Sequence, residues 1–218
     1  MSFDIHQLAQ LDEWDENALE EYSNTLVELF LQSKEGQTHL EQFPEADAGF
    51  WASQLMHYGY NYLGVTLPQM SKADVEEIVT ELFPRKISLL SPENAEDAIP
   101  ELLAFWEYLK RKHALQQANA VLRFLRKIAP DFVNILNDPS KFGMAKSFVM
   151  MGQSAGFDMT KKEDIDEFMH LYNATIAAEG KLGQALGTSD EKKKQTRRAK
   201  RKQKRKAAKA ARKRRRKK

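Results

Sequence analysis

The side chains best suited to chemistry lie at the C-terminal end: Lys192, Lys193, Lys194, Arg197, Arg198, Lys200, Arg201, Lys202, Lys204, Arg205, Lys206, Lys209, Arg212, Lys213, Arg214, Arg215, Arg216, Lys217 and Lys218, 19 cations with no Asp or Glu among them. Each can neutralise one phosphate and release condensed counterions, so the run reads as a site for the RNA or DNA phosphate backbone. It has no aromatic residue to stack on a base, and no bulky apolar residue follows Leu186, which predicts binding without sequence readout. The same lack of apolar residues argues against insertion into a membrane and leaves only adsorption to an anionic surface. Like charges without apolar residues do not offset the entropy of ordering, so residues 192–218 are expected to be a disordered tail. Ala207, Ala208, Ala210 and Ala211 are good helix formers, so folding on a phosphate partner is expected once repulsion is neutralised.

Elsewhere the charge has the opposite sign. The chain has 34 Lys and Arg against 31 Asp and Glu, a formal net of +3. Subtracting the 19 tail cations leaves 15 against all 31 acids, so residues 1–191 carry −16. Residues 1–84 alone hold 16 acids against Lys34 and Lys72, a local −14 that competes with phosphate for the tail. The expectation is a non-enzymatic nucleic-acid-associated protein whose helical body is a protein-interaction module. The alternative is an adaptor or regulator whose tail binds an acidic protein surface, its own or a partner's, or serves as a targeting signal. Lys204-Arg205-Lys206 and Arg212 to Lys218 have the composition of nuclear import signals. In Lys and Ala content the tail resembles the arms of linker histones and of ribosome-associated proteins, over about one-eighth of the chain, and that resemblance brings no site residues with it.

Other reactive patterns are sparse. With no cysteine, thiolate zinc sites, iron–sulfur clusters, disulfides and cysteine nucleophiles are excluded. Glu167-Phe168-Met169-His170 is a single Glu-x-x-His, half of what a dimetal helical bundle uses, and His6, His39, His57 and His113 do not supply a second. His-Glu-x-x-His, phosphate-loop and Gly-x-Ser-x-Gly patterns are absent from the sequence. No catalytic residue, metal or cofactor is therefore expected. The N-terminus lacks a basic region followed by an apolar core, and no stretch approaches the apolar length of a membrane span. The protein is expected to be intracellular, cytoplasmic or associated with nucleoid or ribosome in a bacterium, and nuclear in a eukaryote.

Helical periodicity organises the rest: an all-α fold, an irregular bundle of about seven to nine helices, followed by the tail. The expected domains are an acidic helical body over 1–180, a Gly-containing linker over 181–191 and the tail over 192–218. From Asp15 a helix places Leu19, Tyr22, Leu26, Leu29 and Phe30 inward and ends at Gly36. A turn over 38–43 and a longer helix over 45–63 follow, the latter with Trp51, Leu55, Tyr58 and Tyr62 in one stripe and Gly59 where a neighbour comes close. Ser71-x-x-Asp74 starts a helix burying Val75, Ile78, Val79, Leu82 and Phe83, which Pro84 ends. Ser91-Pro92-Glu93 starts another, with a kink near Ile99 because of Pro100, and Leu102, Leu103, Phe105, Trp106 and Leu109 inward. The helix over 116–129 puts Val121, Leu122, Leu125 and Ile128 inside and Arg123, Arg126 and Lys127 outside. A helix over 140–155 presents Phe142, Ala145, Phe148, Val149 and Gly152. Thr160-Lys161-Lys162-Glu163 reads as a capping box before Ile165, Phe168, Met169, Tyr172 and Ile176, and Gly180, Gly183 and Gly187 as a loose connection. Met144, Met150, Met151, Met159 and Met169 are expected to fill the core, except that Met150 projects from the polar side of its helix and is a candidate for exposure. Ile87 to Leu90 is the only strand-like fragment.

Overall fold

Asp15 starts the first long helix: its backbone is extended and its carboxylate accepts from the N–H groups of Asn17 and Ala18, two of the donors a helix start leaves open. In the computed structural model, which describes residues 3–11, 15–89 and 95–186 with side chains as far as 175, this helix is α2, Glu16–Leu31. It buries Leu19, Tyr22, Leu26 and Phe30, whereas Leu29 is 37% exposed. The Tyr22 hydroxyl donates to the carbonyl of Ile5 and fastens the short α1, Gln7–Gln10. Gly36 does not end α2. Ser33 caps the next helix by accepting from the Gly36 N–H, and α3 runs Lys34–Gln42, beginning earlier than the expected turn at 38. Glycine is needed inside α3 because a Cβ there would meet the Phe30 carbonyl oxygen and, at 2.6 Å, the Leu31 Cα.

α4 is Phe50–Tyr58, shorter at its start than the expected 45–63, and it runs on into a π turn, Gly59–Leu63. The wide turn rotates the helix face. Tyr60, outside the expected stripe, is thereby buried and its hydroxyl accepts from the Asp15 N–H, while Tyr62 is only half-buried. Gly59 does mark a close approach, by the side chain of Met70 rather than by another helix. Ser71 and Asp74 close the capping box of α5, Lys72–Glu77. A second π turn, Ile78–Leu82, carries that helix into α6, Phe83–Lys86, with Val75, Ile78, Val79, Leu82 and Phe83 all buried. Pro84 therefore sits inside the helical run instead of ending it, because the π turn before it absorbs the missing N–H.

Ser91-Pro92-Glu93 lies outside the described residues. α7, Ala98–His113, starts just before Pro100, which occupies a first-turn position where no intrahelical N–H is required, so the helix begins there instead of kinking near Ile99. It buries Ile99, Leu102, Phe105, Trp106, Leu109 and one charged residue, Glu101. α8, Ala118–Ile128, continues through a 3-10 turn, Ala129–Asp131, into α9, Phe132–Leu136. Val121, Leu122 and Leu125 face in, and Arg123, Arg126 and Lys127 face out, as expected. α7 packs against α3, α4 and α8, and aromatic rings link further elements: Phe30 of α2 meets Phe105 of α7 at 5.3 Å, and Trp51 of α4 meets Phe83 of α6 at 5.5 Å and Phe132 of α9 at 6.1 Å.

α10, Met144–Ser154, starts later than 140 and buries only Gly152 of its expected face, against the Met159 side chain, while Ala145 is exposed and Phe142, Phe148 and Val149 are half-buried. The buried side chain is Lys146, whose Nζ donates to the Leu136 carbonyl at the end of α9 (2.9 Å) and lies 4.2 Å from the Phe142 ring. Burial pushes its pKa down to about 8.

Packing divides the chain into two units, Met1–Met150 and Met151–Lys218. In the second unit, α11 (Lys162–Leu186) runs through Gly180 and Gly183, where a looser connection was expected. Ala174, Ala177, Ala178 and Ala185 are strong helix formers that offset those glycines. Phe168 is buried beside Phe157 and Tyr172, but Met169 is 43% exposed. At the start of α11 the Thr160 hydroxyl donates to Asp158, and the Asp158 N–H is taken by Asp164, so Asp158 organises this turn in place of a Thr160–Glu163 capping box. Met144, Met151 and Met169 are exposed, against the expectation of core methionines, while Met159 and Met150, the candidate for exposure, are half-buried. With continuous runs counted once, the described residues form nine helices and no strand, and no helix among them is long and apolar enough to cross a membrane.

Candidate functional site

A helix whose N-cap has no side chain must find other partners for its open N–H groups. α4 is such a helix. Its N-cap, Gly49, has φ 92°, a left-handed conformation suited to glycine, and a Cβ there would run into the Val27 side chain. The missing cap comes from α7. Glu101, fully buried, accepts from the Gly49 N–H through Oε2 and from the Ala52 N–H through Oε1, both at 2.8 Å. One turn earlier, Asp97 accepts from Trp51 Nε1 at 3.2 Å and is 8% exposed.

α3 completes the group. His39 is 2% exposed, its ring lies 5.2 Å from that of Phe43, and Nε2 stands 3.8 Å from Glu101 Oε2. Neither ring nitrogen has a hydrogen-bond partner among the described residues. One donor atom each from His39, Asp97 and Glu101 lie within 4.8 Å of one another. Nearly three turns further along α7, Arg111 grips Glu35 with two hydrogen bonds of 2.7 and 2.8 Å, tying α7 to α3, and that grip pulls the Glu35 carboxyl down to about 2.

Burial dominates the electrostatics of the cluster. It pushes the Glu101 carboxyl up to about 7 against the pull of the backbone N–H groups of Ala52 and Gly49. It raises Asp97, opposed by the Trp51 hydrogen bond, and lowers His39 despite the attraction of Asp97. Two carboxyls and an imidazole share a site that stabilises charge poorly, so the cluster favours whatever removes its negative charge, a proton or a cation.

No protein-family model, curated protein or solved structure matches the chain.

All 19 basic residues from Lys192 to Lys218 lie outside the described residues. Glu167 and His170 are exposed on α11. No local sequence motif marks the His39–Asp97–Glu101 group, because its members come from two elements far apart in the chain. One signal was legible: on a helical wheel Glu101 falls between Ala98 and Phe105 on the inward stripe of α7, four residues from Asp97.

Proposed function

We propose that this protein binds the phosphate backbone of RNA or DNA without sequence readout through Lys192 to Lys218, and that its helical body serves as a protein-interaction module. The observation that carries this reading is the charge segregation, +19 in the tail against −16 in residues 1–191. Several cations of the body are engaged with its own carboxylates, Arg111 with Glu35 and Arg126 with Glu107 (2.7 Å), so the tail supplies the larger positive surface for phosphate. Met144 at 81% exposure, and Met151, Met169 and Leu171 in the second unit, support a body that meets other proteins.

The test is a salt titration of binding to single-stranded RNA and to duplex DNA, with the full chain and with a chain ending at Glu191. Engagement of about 8 to 12 cations gives a log–log slope of roughly −6 to −11, lost with the tail. Undiminished binding by the shortened chain overturns the proposal. The outer glutamates of α2 (Glu16, Glu20, Glu21 and Glu28) are exposed, and they favour a second reading in which the tail rests on an acidic protein surface. A full chain that binds neither nucleic acid at moderate salt selects that reading.

A further inference from the structure

We propose that His39, Asp97 and Glu101 bind one divalent cation of the zinc class, locking α3 and α7 together over the start of α4.

Charge balance is the first support. Two carboxyls buried beside a neutral imidazole hold negative charge in a place that stabilises it poorly, and a dication that displaces their protons leaves the group neutral. The unsatisfied imidazole is the second. A buried ring with both nitrogens unpartnered has lost its water without gaining a replacement, which a bound ion would supply at one of them. Nε2, directed at the carboxylates, is a lone pair placed for a metal bond. One nitrogen and two carboxylate oxygens make a donor set suited to zinc, manganese or iron(II), while calcium takes six to eight oxygens and magnesium an octahedron of oxygens.

Distance is the third. An ion at the centre of a triangle with 4.8 Å sides would sit about 2.8 Å from each donor, against roughly 2.0 to 2.2 Å for zinc bonds. Each side chain needs to move inward by about 0.7 Å or less, since the His39–Glu101 edge is already 3.8 Å. The carboxylates are also held from behind. Trp51 Nε1–H fixes one Asp97 oxygen, and the backbone N–H groups of Gly49 and Ala52, with that of Trp51 beside them, hold the Glu101 carboxylate and leave it acceptor capacity for an ion. Asp97, the most exposed of the three, leaves an edge through which a water can complete four-coordination.

The cationic tail repels metal ions, so the full chain can be used. After chelator treatment and its removal, Co2+ is titrated while its visible absorption is followed, with zinc added afterwards as competitor. Thermal unfolding is recorded with and without zinc. The expected result is one equivalent of Co2+ with the intense bands of four-coordination, displaced by zinc, and a melting temperature raised by about 5 to 10 °C at a hundredfold excess of zinc over Kd. Asp97→Asn keeps the oxygen that meets Trp51 and should weaken binding at least about 100-fold while retaining the helical spectrum. Co2+ that keeps the weak spectrum of the hydrated ion in the wild-type chain, with a melting temperature that zinc does not move, overturns the proposal. So does undiminished binding by folded Asp97→Asn, which would place the ion among the surface acids. Neither outcome depends on residues 192–218, so the nucleic-acid reading stands or falls separately.

Discussion

Glu101→Gln keeps the size of the side chain and one carbonyl acceptor, and turns the second acceptor into a donor. In the native protein both oxygens receive backbone N–H groups at 2.8 Å in a fully buried place. The variant loses one charge-assisted bond of about 1.5 to 3 kcal/mol and leaves an N–H facing an NH2, a buried unsatisfied donor worth roughly 1 to 3 kcal/mol. Removing the carboxylate also relieves its own desolvation, whose size is visible in the rise of the carboxyl to about 7. The net expectation is a loss of about 2 to 4 kcal/mol, or roughly 5 to 15 °C in melting temperature for a chain of this size. Urea unfolding of the full chain in the presence of a chelator measures it, with Glu107→Gln as control. Glu107 is half-exposed and pairs with Arg126 on the surface, so its loss should change stability by about 0.5 kcal/mol or less. If Glu101→Gln falls within that same margin, α4 does not depend on a cap from α7 and the reasoning about the cluster fails.

Lys146 has a folded-state pKa of about 8, below the usual lysine value of 10.5, so between those values the unfolded chain binds more protons and stability rises with pH. The stability of wild type relative to Lys146→Met should increase by about 1.5 kcal/mol from roughly pH 8 to 9.5, and a flat difference in urea unfolding would show the ammonium to be solvated. Gly36→Ala sets a methyl against the Phe30 carbonyl and should lower stability by about 2 to 3 kcal/mol in the same assay. At Gly64, φ is 70° with open space around it, so alanine should cost only about 1 kcal/mol of backbone strain. Ser71→Ala breaks the capping box of α5 and should cost about 1 kcal/mol, read as a lower melting temperature.

Helix type and inward faces were legible wherever an ordinary α-helical period held, as in α2, α7 and α8, and caps were legible where one short side chain did the work, at Asp15 and Ser71. The pattern failed where hydrogen bonding left that period. The π turns at Gly59–Leu63 and Ile78–Leu82 moved Tyr60 inward and carried a helix through Pro84, and nothing in local residue types marks a π turn. Gly36 looked like a stop because glycine is a poor helix former, while its position is set by crowding against Phe30. Lys146 was unreadable as a buried residue because its partner is a backbone carbonyl on another element. The cluster was half legible: Asp97 and Glu101 stand one turn apart on the inner side of α7, but their meeting with His39 depends on the packing of α3 against α7.

The cap on α4 also orders events during synthesis. Gly49 and Ala52 leave the ribosome well before Glu101, so while the chain is growing the start of α4 has hydrogen-bond donors with no carboxylate to receive them. Trp51 likewise waits for Asp97. Until the first turn of α7 has emerged, the start of α4 therefore lacks the carboxylates that receive its donors in the finished fold, and this part of the packing closes late.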